Sequence, residues 1–127
     1  MKKFSLIIFL LFSMSLAVFS QSEYEISRAE NYLQETEYYN KKAGKHRKEA
    51  AYYLDKAKDY QKEVEYYTEK EDAYNVKVYT RYLNVAIDNF KSQLRYAEQA
   101  EENAISYLKK AESQVSDCNW ERYICKI

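Results

Sequence analysis

The stretch Glu35–Val76 reads ETEYYNKKAGKHRK, EAAYYLDKAKDYQK, EVEYYTEKEDAYNV, three blocks of fourteen residues that align without gaps. Each block opens with Glu (Glu35, Glu49, Glu63). Each carries a tyrosine pair at its fourth and fifth places (Tyr38-Tyr39, Tyr52-Tyr53, Tyr66-Tyr67) and Lys at its eighth (Lys42, Lys56, Lys70). The preceding block, residues 21–34, is a weaker copy with Tyr24, Arg28, Ala29 and Tyr32 in the matching columns. Fourteen residues are two heptads, so the unit of repetition is a length of coiled-coil helix.

With Ala29 placed at position a, the a column reads Ala29, Thr36, Ala43, Ala50, Ala57, Val64, Glu71, Val78. The d column reads Tyr32, Tyr39, His46, Tyr53, Tyr60, Tyr67, Tyr74. Small residues at a let a partner backbone approach, and tyrosines at d fill the layers beside them. A buried phenol oxygen needs a partner, so the rings are expected to angle toward the rim. A capping-box spacing between Ser22 and Glu25 predicts that the helix starts near Ser22 and runs to about Asp72. Beyond Val78 the phase fails, because Arg81 and Asp88 would fall on the apolar seam. A second register fits the rest, with Ile87, Leu94, Glu101, Leu108 and Val115 at a and Leu83, Phe90, Ala97, Ala104 and Ala111 at d. The phase change predicts a turn near residues 73–78 and a second helix from about Lys77 to Val115. The expected fold is all-α: a long antiparallel helical hairpin over residues 21–116. A three-helix arrangement with an extra turn at Gly44, the sole glycine, is the alternative, although the heptads pass through Gly44 without changing phase.

Two further columns concern partners. Position g reads Arg28, Glu35, Lys42, Glu49, Lys56, Glu63, Lys70, alternating in sign throughout. Such charges either solvate a face or select a partner and its register. Position c carries Tyr24, Tyr38, Tyr52 and Tyr66, about 21 Å apart along one flank. They widen the apolar stripe and mark a second contact surface, for another helix or a second copy. Stacking of a ligand such as a glycan fits less well, because it needs a concave site. Tyr24, Tyr38, Tyr52 and Tyr66 with Lys42, Lys56 and Lys70 are therefore the candidate partner-binding residues.

The ends of the chain indicate a compartment. Lys2 and Lys3 precede an apolar run from Phe4 to Phe19, and Val18 and Ser20 suit a cleavage site before Gln21. Residues 1–20 are expected to be a signal peptide that sends the protein to the periplasm or outside the cell. The segment resembles signals of Gram-negative bacteria, particularly those whose mature proteins begin with Gln. Residues 117–127 form a tail holding Cys118 and Cys125, with Trp120 and Tyr123 between them. In an exported protein two cysteines usually pair, here as a short clip that would fold Trp120 onto the bundle end. Pairing between subunits is the alternative. The six-residue spacing is not a CxxC redox motif.

After cleavage, eighteen basic and twenty acidic residues remain, a formal charge of −2, which does not suit nucleic-acid binding. The mature chain keeps five Leu, five Ile, five Val and one Phe, a small aliphatic supply offset by eleven Ala and all fifteen Tyr. The absence of Pro and the single Gly argue against a turn-rich β-sandwich, a Rossmann glycine loop and a P-loop. His46 stands where other heptads have Tyr and reads as its structural substitute. One His beside Glu49 is too few ligands for a metal, and no cofactor is indicated. Neighbouring carboxylates such as Glu63 and Glu65 point away from each other on a helix, so no acid–base pair is legible. Lys41, Lys42, Lys45, Arg47 and Lys48, with His46, form a basic belt able to touch an anionic membrane surface peripherally. The function expected from these features is a non-enzymatic one in the cell envelope, structural or adaptor, through self-association or an envelope protein partner. A holdase-like periplasmic chaperone, a secreted immunity or inhibitor protein, and a surface ligand binder are the alternatives.

Overall fold

Two helices account for the architecture: α1, Lys2–Glu69, and α2, Ala73–Asp117. The computed structural model describes residues 2–117, with side chains described from 23 to 115. Cys118, Cys125 and Trp120 lie outside the described residues, as does the expected clip between the cysteines. Among the described residues there is no strand, and the two helices pack against each other as a helical hairpin.

α1 begins at Lys2 rather than at Ser22. No Gly or Pro interrupts the chain before Gly44, so the amides at Ser22–Glu25 already have carbonyl partners one turn back. With residues 1–20 in place a capping box there has nothing to cap; with them removed these amides become the first of the helix, and the Ser22–Glu25 spacing is free to cap them. Gly44 also lies inside α1 with ordinary helical backbone, which removes the three-helix alternative. Beyond the neighbouring turns of its own helix, a methyl group at Gly44 would meet no atom within 4 Å, so Gly44→Ala is expected to raise stability by about 1 kcal/mol.

The connection is Lys70-Glu71-Asp72, just ahead of the 73–78 segment where the change of phase placed it, and α2 starts at Ala73 rather than near Lys77. Its hydrogen bonds explain the position. The amide of Glu71 donates to the carbonyl of Thr68 (3.1 Å) and the amide of Asp72 to that of Tyr67 (3.0 Å). That crossed pair is a Schellman ending, and it puts Glu71 in the left-handed region at φ 56°. Asp72 at once caps α2. Its Oδ1 accepts from the amide of Asn75 (3.1 Å), and its Oδ2 accepts from Asn75 Nδ2 (2.7 Å). Asn75, a weak helix former in a helix interior, is thus held by the cap. Glu71→Gly, which relieves the left-handed strain, is expected to add about 1 kcal/mol, measured by thermal unfolding.

The amide and then the side chain of Asn75 hold the Asp72 carboxyl below the usual aspartate range. Because its folded pKa is depressed, the stability it contributes is present above the ordinary aspartate pKa and is lost as pH falls through the lower folded value. Asp72→Ala is expected to lower Tm by a few degrees at pH 7, and the gap to wild type should close on acidification.

Residue contacts divide the chain into two units: the described parts of Met1–Thr36 with Ile105–Ile127, and Glu37–Ala104. In the first unit, Ala29 and Ala111 are buried and Tyr32 lies 6.2 Å from Tyr107, ring to ring. In the second, Ala43, Ala50, Ala57, Ala86, Ala97, Ala100 and Ala104 are buried. Every fully buried apolar residue described is therefore an alanine, and the d-column tyrosines of α1, from Tyr32 to Tyr67, sit half-buried at its edges; Tyr74, expected in the same column, falls past the turn on α2 and is 76 % exposed.

On α2 the inward positions alternate four and three apart: Tyr79, Leu83, Ala86, Phe90, Gln93, Ala97, Ala100 and Ala104 in the second unit, Tyr107, Ala111 and Gln114 in the first. The column from Leu83 to Ala111 is the expected one. Its companion is not: Ala86, Gln93 and Ala100 take the places assigned to Ile87, Leu94 and Glu101. Leu94, Leu108 and Val115 are exposed, while Ile87 and Glu101 are half-buried. Within that companion column the small Ala86 and Ala100 fit beside the α1 tyrosine rings and Gln93 meets His46, while the larger Leu94 and Leu108 lie on the flank.

Candidate functional site

The tyrosine pairs of the repeat fold into the same local device each time. The c tyrosine stands edge-on to its d neighbour: Tyr38 to Tyr39 at 5.1 Å, Tyr52 to Tyr53 at 5.3 Å, Tyr66 to Tyr67 at 5.1 Å. Four residues on, one helical turn, the repeat's cation lies over a ring. Lys56 is 5.7 Å from the centre of Tyr52 and Lys70 is 5.7 Å from that of Tyr66. Lys42 takes the d ring instead, 6.0 Å from Tyr39. In the first unit Arg28 lies 5.7 Å from the Tyr24 ring and donates to the Tyr32 hydroxyl at 3.1 Å. The tyrosine–cation spacing is thus a contact within one helix. Tyr24, Tyr38, Tyr52 and Tyr66 nevertheless remain 52–63 % exposed, so each still offers surface outward.

Besides Lys42, two further cations of the basic belt are engaged. Lys41 pairs with Glu37 at 2.9 Å, and Arg47 pairs with Glu101 across the two helices. His46 is half-buried, its Nδ1 hydrogen-bonded to Oε1 of Gln93 at 2.7 Å and its ring 5.5 Å from Tyr96. It fills a tyrosine layer as the d column implies.

Two clefts open along the second unit. One, of about 320 Å³, is lined by Tyr39, Lys42, His46, Tyr96, Gln99, Ala100 and Asn103. The other, of about 460 Å³, is lined by Tyr53, Lys56, Tyr60, Tyr82, Val85, Ala86 and Asn89, with Tyr52 and Arg81 at its wall. Seven of the nine residues of the second cleft are the positions of the first moved by fourteen residues, forward on α1 and backward on α2; Tyr52 and Arg81 have no counterpart in the first. Antiparallel packing requires that relation, and it exposes a signal in the sequence that the heptad assignment passes over. Tyr82, Ala86, Asn89, Ser92 and Leu94 recur fourteen residues later as Tyr96, Ala100, Asn103, Ser106 and Leu108. Both helices therefore repeat with the same period.

The first unit has its own hollow, of about 450 Å³, lined by Tyr32, Ile105, Ser106, Lys109, Lys110, Ser113 and Gln114. There Lys110 and Ser113 stand where the other clefts have tyrosine and Gln99 or Val85. Among the described residues no group of three His, Cys, Asp or Glu side chains could hold a metal, and no helix is long and apolar enough to cross a membrane. The chain matches no family model, no curated protein and no solved structure.

Proposed function

We propose that this is an exported, non-enzymatic helical protein that works by protein–protein contact in the cell envelope, in a structural or adaptor role. The observation that carries the reading is the column of exposed tyrosines, Tyr24, Tyr38, Tyr52 and Tyr66, set beside a core of alanine. Alanine buries little apolar area, so a hairpin built on it keeps substantial aromatic surface in water. Tyrosine joins large contact area to a polar tip at low entropic cost, which is why it concentrates in protein interfaces. The g charges, alternating over seven heptads of a coiled coil, would set the register of such a contact. The reading also takes residues 1–20 as a cleaved signal and Cys118–Cys125 as a disulfide formed after export.

The test is the variant Tyr38→Ser, Tyr52→Ser, Tyr66→Ser. All three sites are exposed, so helix content by circular dichroism should stay close to wild type. The assembly seen by light scattering on a sizing column, or binding to the partner, should be lost. Retained assembly and binding would sink the proposal.

A further inference from the structure

The repeated clefts and the repeated tyrosines share one interval, and from this we infer that the occupant of the clefts is a second copy of this chain, packed antiparallel. The inference rests on the contact reading above and names its partner.

Two clefts fourteen residues apart on α1 lie about 21 Å apart along the helix. An occupant that fills both must present side chains at that spacing. Tyr52 and Tyr66 do so, and they are exposed. The walls suit a phenol: aromatic rings at Tyr39 and Tyr96 or at Tyr53 and Tyr82, an alanine floor, and the amide of Asn103 or Asn89 for the hydroxyl.

Charge then selects the register. Consider a two-fold axis at the level of Tyr52 and Tyr53. It sets Lys42 of one copy opposite Glu63 of the other and Glu49 opposite Lys56. The same axis carries Tyr52 to the level of Tyr53, at the edge of one cleft, and Tyr66 to the level of Tyr39, at the edge of the other. A slip of seven residues would set like charges against each other along the whole g column, and the alternation disfavours it. The contact is isologous, so every pair occurs twice.

The experiment is a charge exchange in the chain as it accumulates after export, read by sedimentation equilibrium. Lys42→Glu should weaken dimerisation at least about tenfold, because it places two like-charge pairs in the interface. Adding Glu63→Lys should restore it. Lys42 and Glu63 are 21 residues apart on one helix, so rescue cannot arise within a single copy. Adding Glu49→Lys to Lys42→Glu instead should not rescue. A photo-crosslinking residue at Tyr66 should join peptides containing Tyr39 or residues 96–103 of the other copy.

A dimer without rescue, or with crosslinks elsewhere, overturns this register and these clefts while leaving the contact reading standing. A monomer at all concentrations overturns the second copy as occupant. If Tyr38→Ser, Tyr52→Ser, Tyr66→Ser then still changes capture of an envelope protein, the broader reading survives. If it changes nothing, that reading falls as well.

Discussion

Ala50→Asp is expected to unfold the second unit, while Ala51→Asp is expected to leave it folded. The two alanines are adjacent on α1, yet Ala50 is 2 % exposed and Ala51 faces water. At either position Asp costs roughly 0.5 kcal/mol of helix propensity against Ala. At position 50 the carboxylate also enters an interface whose fully buried residues are all alanine, with no buried polar side chain among the described residues to receive it. An unpaired buried charge costs several kcal/mol, a large share of what a small domain has to lose. Loss of the cooperative thermal transition for Ala50→Asp, with the Ala51→Asp transition within a few degrees of wild type, is the outcome that supports the packing. Equal behaviour of the two would mean that the inward face of α1 is wrongly placed.

The second large effect is expected at Tyr79. Its ring stacks on Tyr67 (5.4 Å, 14° between planes), meets Tyr82 edge-on at 5.8 Å and lies 6.4 Å from Tyr60. It is therefore the centre of an aromatic group that ties both helices together just beyond the turn. Each such pair contributes about 0.5–1.5 kcal/mol beyond the area it buries. Tyr79→Ala should cost about 3 kcal/mol, and Tyr79→Phe, which keeps the ring, less than about 1 kcal/mol. Denaturant unfolding of the two variants checks this, and a similar loss for both would assign the effect to the hydroxyl rather than to stacking. The same cluster has an alkaline limit. Burial pushes the Tyr67 phenol up, and the neighbouring Tyr79 adds to the shift. A raised folded pKa means that this stabilisation is present below the ordinary tyrosine value and is lost as pH climbs through the folded one.

Much of this was legible in residue order. Alanine and tyrosine recurring at heptad positions identified the inward face of α1, and Ala29, Ala43, Ala50 and Ala57 are all buried. The change of phase after Val78 called for a second helix running back along the first. The column Leu83, Phe90, Ala97, Ala104, Ala111 was visible as well, because the period of a helix fixes which residues share a face whatever they touch. The tyrosine at every second c position marked the outward surface in the same way.

Other features were decided where the two helices meet. Whether Ala86 or Ile87 turns inward depends on the room the α1 rings leave. Hydropathy favours Ile87, and volume favours Ala86. The turn at Lys70–Asp72 follows from a Schellman ending feeding an aspartate cap, a choice between local hydrogen bonds that a heptad count does not register. The clefts belong to neither helix alone. Each takes its floor and one wall from distant residues of α2, residues 82–89 for the cleft at Tyr53 and residues 96–103 for the cleft at Tyr39, so a fourteen-residue period in α1 became a row of equivalent hollows only when antiparallel packing set the matching period of α2 against it. Periodicity along one chain fixes faces; the shape between two faces depends on side-chain volumes on both, and that sum exists only in the folded hairpin.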